Sequence, residues 1–182
     1  RARVQGDSRW GQSSCGPNAL MFTLELVNRP HSLRQILEAL PPQCNAASDV
    51  SVADLVAACD ALGVSCTALM MSTYVARRID RPFIARIAGE TTPHFAVVEF
   101  DAGQVFLTSP PSDRIESDDS TFNDVFLGEV MIVAHDDEEL SRIMEDAHRA
   151  AFRRSKLRGL VAPLVIGGLI TLSWSAQRRR RR

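Results

Sequence analysis

The chain has 182 residues, with 21 lysine and arginine side chains against 22 acidic ones and a formal net charge of −1. This length and a hydrophobic fraction of 45% are sufficient for one domain with a proper core. The balanced charge gives no general signal for nucleic-acid binding, so we expect no nucleic-acid partner.

The first predicted helix begins beside a cysteine. Residues 18–27 read NALMFTLELV, which is apolar on nearly every face and therefore typical of a buried helix. Ser13 and Ser14 are good capping residues, and Pro17 suits a first helical turn. Cys15 would thus lie where the free N–H groups and the positive end of the helix dipole favour a thiolate. The alternative is a buried structural cysteine, which is the commoner role of a free thiol.

Two shorter helices and a strand are predicted next. A helix opens after Ser32, and its apolar residues have helical spacing up to Leu40. A third helix begins near Ser51, with Asp54 placed as a capping-box partner, and ends at Gly63. Residues 64–70 read as a strand.

The four cysteines do not have the spacing of a zinc site. No Cys-x-x-Cys pair occurs among Cys15, Cys44, Cys59 and Cys66, so we expect neither a metal nor another cofactor. Cys59 and Cys66 are most simply core residues. Cys44, in a polar loop, could pair with one of them only if the domain faced an oxidising compartment.

A hairpin in the second half places a histidine beside a polar residue. Residues 72–81 are expected to form a short helix or turn, and 82–87 a strand. Residues 95–100 and 105–108 read as two strands joined by a turn, with His94 at the start of the first. Because the start of one hairpin strand lies beside the end of the other, Ser109 should finish near His94.

The remaining elements of this half are a polar loop at 109–121, a short turn or helix at 122–126 and a final strand after Gly128. A cysteine at a buried helix start, a histidine at a strand start and a polar group after the next strand form the papain-type layout. Such a cysteine and histidine need only be adjacent in space.

The ordered motifs resemble those of the bacteriocin-processing (double-glycine leader) cysteine peptidases. The resemblance covers about residues 8–134 and rests on four segments: CGP at 15–17 followed by Ala-Leu, DVSVADL at 49–55 with Gly63, PHFAVV at 93–98, and FNDVFLGEVMIV at 122–133. Members of that family are small papain-like domains, usually fused to the amino end of peptide-exporting ABC transporters. The resemblance implies an α+β papain-like fold, a peptide or protein substrate, and a possible transporter or other membrane-protein partner.

The sequence departs from this family at two positions. Where the family has a glutamine that helps form the oxyanion hole, this chain has Arg9, and the nearest glutamine is Gln12. Where the family has an aspartate that orients the histidine, this chain has Ser109, with Asp113 as a reserve candidate. A serine can accept a hydrogen bond from imidazole but cannot stabilise imidazolium by charge.

Two functions are therefore open. The first is a cysteine endopeptidase in which Cys15 attacks the scissile carbonyl, His94 transfers the proton, Gln12 stabilises the oxyanion and Ser109 orients His94. The family suggests a leader peptide ending in two small residues as its substrate. The second is a peptidase-like scaffold that docks to a membrane complex and has lost its cleaving power, which the residues at positions 9 and 109 favour.

The end of the chain has a different character. We predict a peptidase domain at 1–134, a charged connecting helix outside the core at 135–158, and a membrane-spanning helix with a basic tail at 159–182. Residues 159–176 carry no charge over 18 residues and are flanked by basic residues on both sides, which favours a membrane span over a buried core helix. The protein would then be a single-pass membrane protein in contact with lipid, and the family resemblance favours the cytoplasmic side for its domain.

Overall fold

The computed structural model describes residues 15–44, 50–89, 92–110 and 113–157. Its helices are α1 Cys15–Leu26, α2 Leu33–Ala39, α3 Val52–Leu62, α4 Thr73–Ala76, α5 Asp119–Val125 and α6 Asp137–Leu157. Its strands are β1 Ser65–Met70, β2 Phe83–Ile87, β3 His94–Asp101, β4 Gln104–Thr108, β5 Arg114–Ser117 and β6 Phe126–Ala134.

The strands form one antiparallel sheet of six in the order β1-β6-β2-β3-β4-β5. The last strand of the chain, β6, pairs with β1 on one side and with β2 on the other. Helices pack on both faces of this sheet, so the predicted α+β class with an antiparallel sheet is confirmed.

Capping boxes mark the starts of α2 and α3, the two helices that follow α1. Ser32 and Ser51 each accept a hydrogen bond from the main-chain N–H three residues on, and Gln35 and Asp54 bond back to them as capping boxes. Gly63 ends α3 with φ 68°, a left-handed conformation that glycine adopts without steric cost. These are the boundaries that the sequence predicted.

One face of the sheet is covered by α1 and α3. Leu20 and Leu24 of α1 and Leu55 of α3 are fully buried there, against Val97 of β3 and Met131 of β6. This cluster is almost entirely aliphatic. The apolar character of α1 that the sequence showed therefore has its cause in packing, since the helix lies between the sheet and its neighbouring helices.

The opposite face is built around phenylalanine rings. The ring centroids of Phe83 and Phe100 are 6.0 Å apart, those of Phe100 and Phe122 are 5.7 Å apart, and those of Phe122 and Phe126 are 5.1 Å apart. The guanidinium of Arg77 lies 5.5 Å and 5.8 Å from the Phe100 and Phe122 centroids. We call this side of the sheet the aromatic face, and the side covered by α1 the α1 face.

The helix predicted to lie outside the core instead completes the aromatic face. α6 spans Asp137–Leu157 and packs against β1, β6 and α4. Ile143 and Ala147 are each only 5% exposed, and Ile143 belongs to the buried apolar cluster of this face. Glu139 of the same helix is paired with Arg81. The expectation that this helix lies outside the core was wrong, because its many charged residues make its narrow apolar stripe difficult to recognise in the sequence.

A strand also lies where the sequence predicted only a polar loop. β5 occupies Arg114–Ser117, pairs with β4, and forms one edge of the sheet. Its residues are mostly exposed, and Ile115 is 62% exposed. A short polar edge strand has no alternation of buried and exposed residues, so its sequence does not differ from that of a loop.

The predicted membrane segment at 159–176, together with Arg9 and Gln12, lies outside the described residues. Within the described part of the chain, no helix is both long and apolar enough to cross a membrane.

Candidate active site

Cys15 is the first residue of α1 and is half-buried. The next residue, Gly16, lies directly against the sheet: a β-carbon built on it would be 3.2 Å from Cδ2 of Phe95 and 3.4 Å from Cδ1 of Leu55. A side chain at this position would require Phe95 and Leu55 to move by a few tenths of an ångström, so glycine suits so close an approach. The start of α1 is thereby packed against the start of β3, where His94 precedes Phe95.

His94 is the first residue of β3 and pairs in register with Ile87 of β2. Its Nε2 lies 3.3 Å from the hydroxyl oxygen of Ser109, which directly follows β4. The pairing of Val97 with Thr108 brings the two ends together. The predicted hairpin is therefore confirmed, and so is the expectation that Ser109 lies beside His94.

The other ring nitrogen of His94 has a different neighbour. A β-carbon on Gly89, two residues after the end of β2, would lie 2.9 Å from Nδ1. The two nitrogens are therefore flanked by separate parts of the chain, Nε2 by the end of β4 and Nδ1 by the residues after β2. Gly89 could not be recognised as part of the site from the sequence, because a glycine between two predicted strands indicates no more than a turn.

Asp113 and Gln12 are the two further side chains that the sequence offered for the site. Asp113, the reserve partner for His94, is exposed, and the hydrogen-bond partner of Nε2 is Ser109. Gln12 lies before the first described residue, so its role in an oxyanion hole stays a prediction. The joint assignment of Cys15 and His94 as a catalytic pair also stays a prediction.

The other three cysteines occupy environments unlike that of Cys15. All four thiols are free. Burial and the nearby Asp54 raise the pKa of Cys44. A hydrogen bond with Cys66 and burial in the core raise the pKa of Cys59 well above its ordinary value. These shifts disfavour the thiolate, so Cys44 and Cys59 are poor nucleophiles. In the described ranges no group of three or more His, Cys, Asp or Glu residues could hold a metal ion.

The fold is similar to those of several solved peptidase domains. The peptidase domain of Streptococcus ComA, a bi-functional ABC transporter involved in a quorum-sensing pathway, matches with a TM-score of 0.55 and 18% identity, over 67% of this chain and 91% of that domain. A double-glycine-motif protease from an AMS/PCAT transporter, solved with the leader peptide, matches with a TM-score of 0.53 and 16% identity, over 66% of this chain and 84% of that one. At these identities the likeness shows the fold.

The family assignment comes from a comparison with protein-family models. No curated protein matches the chain in sequence. The model of the peptidase C39 family matches residues 8–138, which include α1, all six strands and the first residues of α6. The match therefore contains both Cys15 and the hairpin that carries His94 and Ser109. The chain belongs to the peptidase C39 family.

Proposed function

We propose that the chain is a cysteine endopeptidase with Cys15 as its nucleophile and His94 as its general base and acid. The observation that carries the proposal is the position of His94, bonded through Nε2 to Ser109 at the strand start against which the Cys15 helix packs. A nucleophile, a base and a third group that orients the base are the parts that covalent catalysis needs.

The contact with Ser109 supports different roles for the two nitrogens of His94. When Nε2–H donates to the Ser109 hydroxyl, Nδ1 carries the lone pair and accepts the proton of Cys15. The thiolate then attacks the carbonyl carbon of the peptide bond, and the imidazolium later gives the proton to the leaving amine. Water hydrolyses the resulting thioester and restores the thiol.

The start of α1 supplies electrostatic support for this reaction. The first N–H groups of a helix have no partner within the helix, and its dipole is positive at that end. Both effects would stabilise the negatively charged oxygen that forms above Cys15 when the carbonyl is attacked. Gln12 is our candidate for the side-chain donor of the oxyanion hole, in place of the glutamine that the family carries at the position of Arg9.

Ser109 gives His94 less support than the aspartate that the family carries at this position. A hydroxyl orients the imidazole but does not stabilise its positive charge. Replacing Ser109 by Asp should therefore raise turnover by about 10-fold or more. A carboxylate that stabilises the imidazolium in the transition state by only ~1.4 kcal/mol is enough for a tenfold faster reaction. The control is Ser109→Ala, which should lower turnover by removing the contact with Nε2.

We propose a leader peptide as the substrate class. The AMS/PCAT protease whose fold is similar was solved with its leader peptide, and the ComA domain is part of a transporter. A peptide with two small residues before the scissile bond is therefore the first substrate to test, and a peptide-exporting transporter is the first partner.

The experiment combines a peptide-directed thiol probe with cleavage of model leader peptides. Native protein should be labelled at Cys15 and should cleave the peptide, whereas the Cys15→Ala variant should do neither. Cys44→Ala is the matched control, because it removes another half-buried thiol and should change neither result. Labelling that persists in Cys15→Ala, or cleavage without Cys15, would refute the assignment of the nucleophile.

The second candidate is a peptidase-like scaffold of a membrane complex. It is favoured by Ser109 and Arg9, which replace two residues that support catalysis in the family. If native protein binds leader peptides without cleaving them, and Ser109→Asp does not restore cleavage, the scaffold is the correct function.

We also propose that residues 159–176 span a membrane and anchor the domain beside its partner. The support is their uncharged, 18-residue apolar run between basic flanks. The full chain should remain with membranes after a high-salt wash and be released by detergent. A chain ending at residue 157 is the control and should partition into the aqueous fraction.

A further inference from the structure

Gly89 approaches the His94 ring so closely that no other residue type fits. A β-carbon at position 89 would lie 2.9 Å from Nδ1 of His94 and 2.4 Å from the main-chain oxygen of Thr92. Both distances are well below the roughly 3.5–4.0 Å at which non-bonded carbon atoms pack. The φ of Gly89 is outside the left-handed region, so its small size is the property required.

The collision with Thr92 matters because it involves the main chain. A flexible side chain could rotate away from an added methyl group, but a carbonyl oxygen moves only with its backbone. Thr92 is two residues before His94, so relieving the collision displaces the segment that leads into β3. The ring itself would be pushed from the Nδ1 side.

We propose that Gly89 is a positioning residue for His94: because it has no side chain, the imidazole can lie against Ser109 with Nδ1 directed to the Cys15 thiol. The inference rests on the proposed function, in which Nδ1 accepts the proton. In this chain the steric limit at Gly89 has particular weight, because Ser109 restrains the ring only through an uncharged hydrogen bond of 3.3 Å.

The test replaces Gly89 by Ala and measures both kinetics and the state of the ring. We expect kcat for leader-peptide cleavage to fall about 10–100-fold, because displacement of a catalytic group by about 1 Å has an effect of this size. KM should stay nearly unchanged, since Gly89 is assigned no contact with the substrate. The imidazole ¹⁵N resonances of His94 should shift in the same variant.

Two control variants separate positioning from general damage. Gly103→Ala places a β-carbon in open space at φ +86°, so it strains the backbone without approaching His94. Thr92→Ala removes an exposed side chain but keeps the carbonyl. Both variants should retain the ¹⁵N resonances and kcat of the native protein. If they change as much as Gly89→Ala does, the effect is a general one and the inference is wrong.

One measurement needs no variant and therefore does not depend on folding of Gly89→Ala. Native protein should show a nuclear Overhauser effect between the α-protons of Gly89 and the imidazole protons of His94, and its absence would refute the close approach. This readout and the ¹⁵N shifts do not require activity. A native protein that cleaves nothing would therefore overturn the proposed function, while these two signals would still decide whether Gly89 positions the ring.

Discussion

The two faces of the sheet are stabilised by different means. On the α1 face, mainly aliphatic side chains hold a buried helix whose first residue is Cys15. On the aromatic face, four phenylalanine rings pack in sequence and are bordered by Arg77 and the Arg81–Glu139 pair. We therefore expect the aromatic face mainly to stabilise the domain, and the α1 face also to fix the position of Cys15, the proposed nucleophile.

The largest expected effect on stability comes from the aromatic face. Phe122 is fully buried and contacts two other rings, so Phe122→Ala should lower the free energy of unfolding by about 3–5 kcal/mol. Cleavage per folded molecule should change little. Urea denaturation measures the first quantity, with the 62%-exposed Ile115→Ala as control. A large fall in the activity of the folded fraction would contradict the division between the faces.

Leu20→Ala should produce a somewhat smaller loss on the opposite face. Leu20 is fully buried in α1, and its truncation should lower the free energy of unfolding by about 2–5 kcal/mol. Here we also expect slower labelling of Cys15 in molecules that remain folded, because the helix that carries the thiol is repacked. Labelling at the native rate would show that the α1 face, too, serves stability alone.

The Arg81–Glu139 pair should make the aromatic face sensitive to acid. A hydrogen bond from Arg81 and another from the His135 N–H hold the pKa of Glu139 at about 2, below its ordinary value of 4.5. Because the folded-state pKa is the lower one, this stabilisation is fully present above about pH 4.5 and is lost as the pH falls toward 2.

We therefore expect Glu139→Gln to lower the free energy of unfolding by about 1–2 kcal/mol at neutral pH, since the pair is partly exposed to solvent. The difference from the native protein should shrink between pH 4.5 and 2. Glu145→Gln is the control, because that carboxylate lies on the exposed side of α6 beside Arg149. A difference that stays constant across this pH range would exclude the ionised pair as its cause.

The smallest expected effect concerns the start of α3, which carries Leu55 to its contact with Gly16. Ser51→Ala removes the hydroxyl that accepts from the Asp54 N–H and should lower the free energy of unfolding by about 1 kcal/mol. Thermal unfolding measures the loss. Ser72→Ala is a suitable control, since Ser72 precedes α4 without making a side-chain cap bond.

The elements that the sequence predicted well carry strong local signals. The capping boxes at Ser32 and Ser51, the left-handed Gly63 and the hairpin turn after Asp101 all act within a few residues, so they can be recognised without the fold. The apolar stripe of α6 and the edge strand β5 could not be predicted, because their structure depends on distant neighbours. Ile143 is buried because α6 packs against β1 and β6, which come from distant parts of the chain.

The same distinction applies to the candidate site. Ser109 could be placed beside His94 because both lie on one hairpin. The steric role of Gly89 could not, because it depends on the direction of the His94 ring and on the position of a carbonyl oxygen. Neither the direction of the ring nor the position of the carbonyl can be recognised from the order of the residues.

The position of β6 in the middle of the sheet affects how the protein is made. A ribosome produces β1 and β2 long before β6, yet these two strands are joined only when β6 pairs between them. Until Ala134 has left the exit tunnel, the nascent chain has no continuous sheet, and the edges of β1 and β2 stay open to wrong pairing. The hairpin that carries His94 can form earlier, but β2, beside it, gains its second neighbour only with β6. The domain would therefore complete its fold only after its last strand is synthesised, in one late step of high contact order.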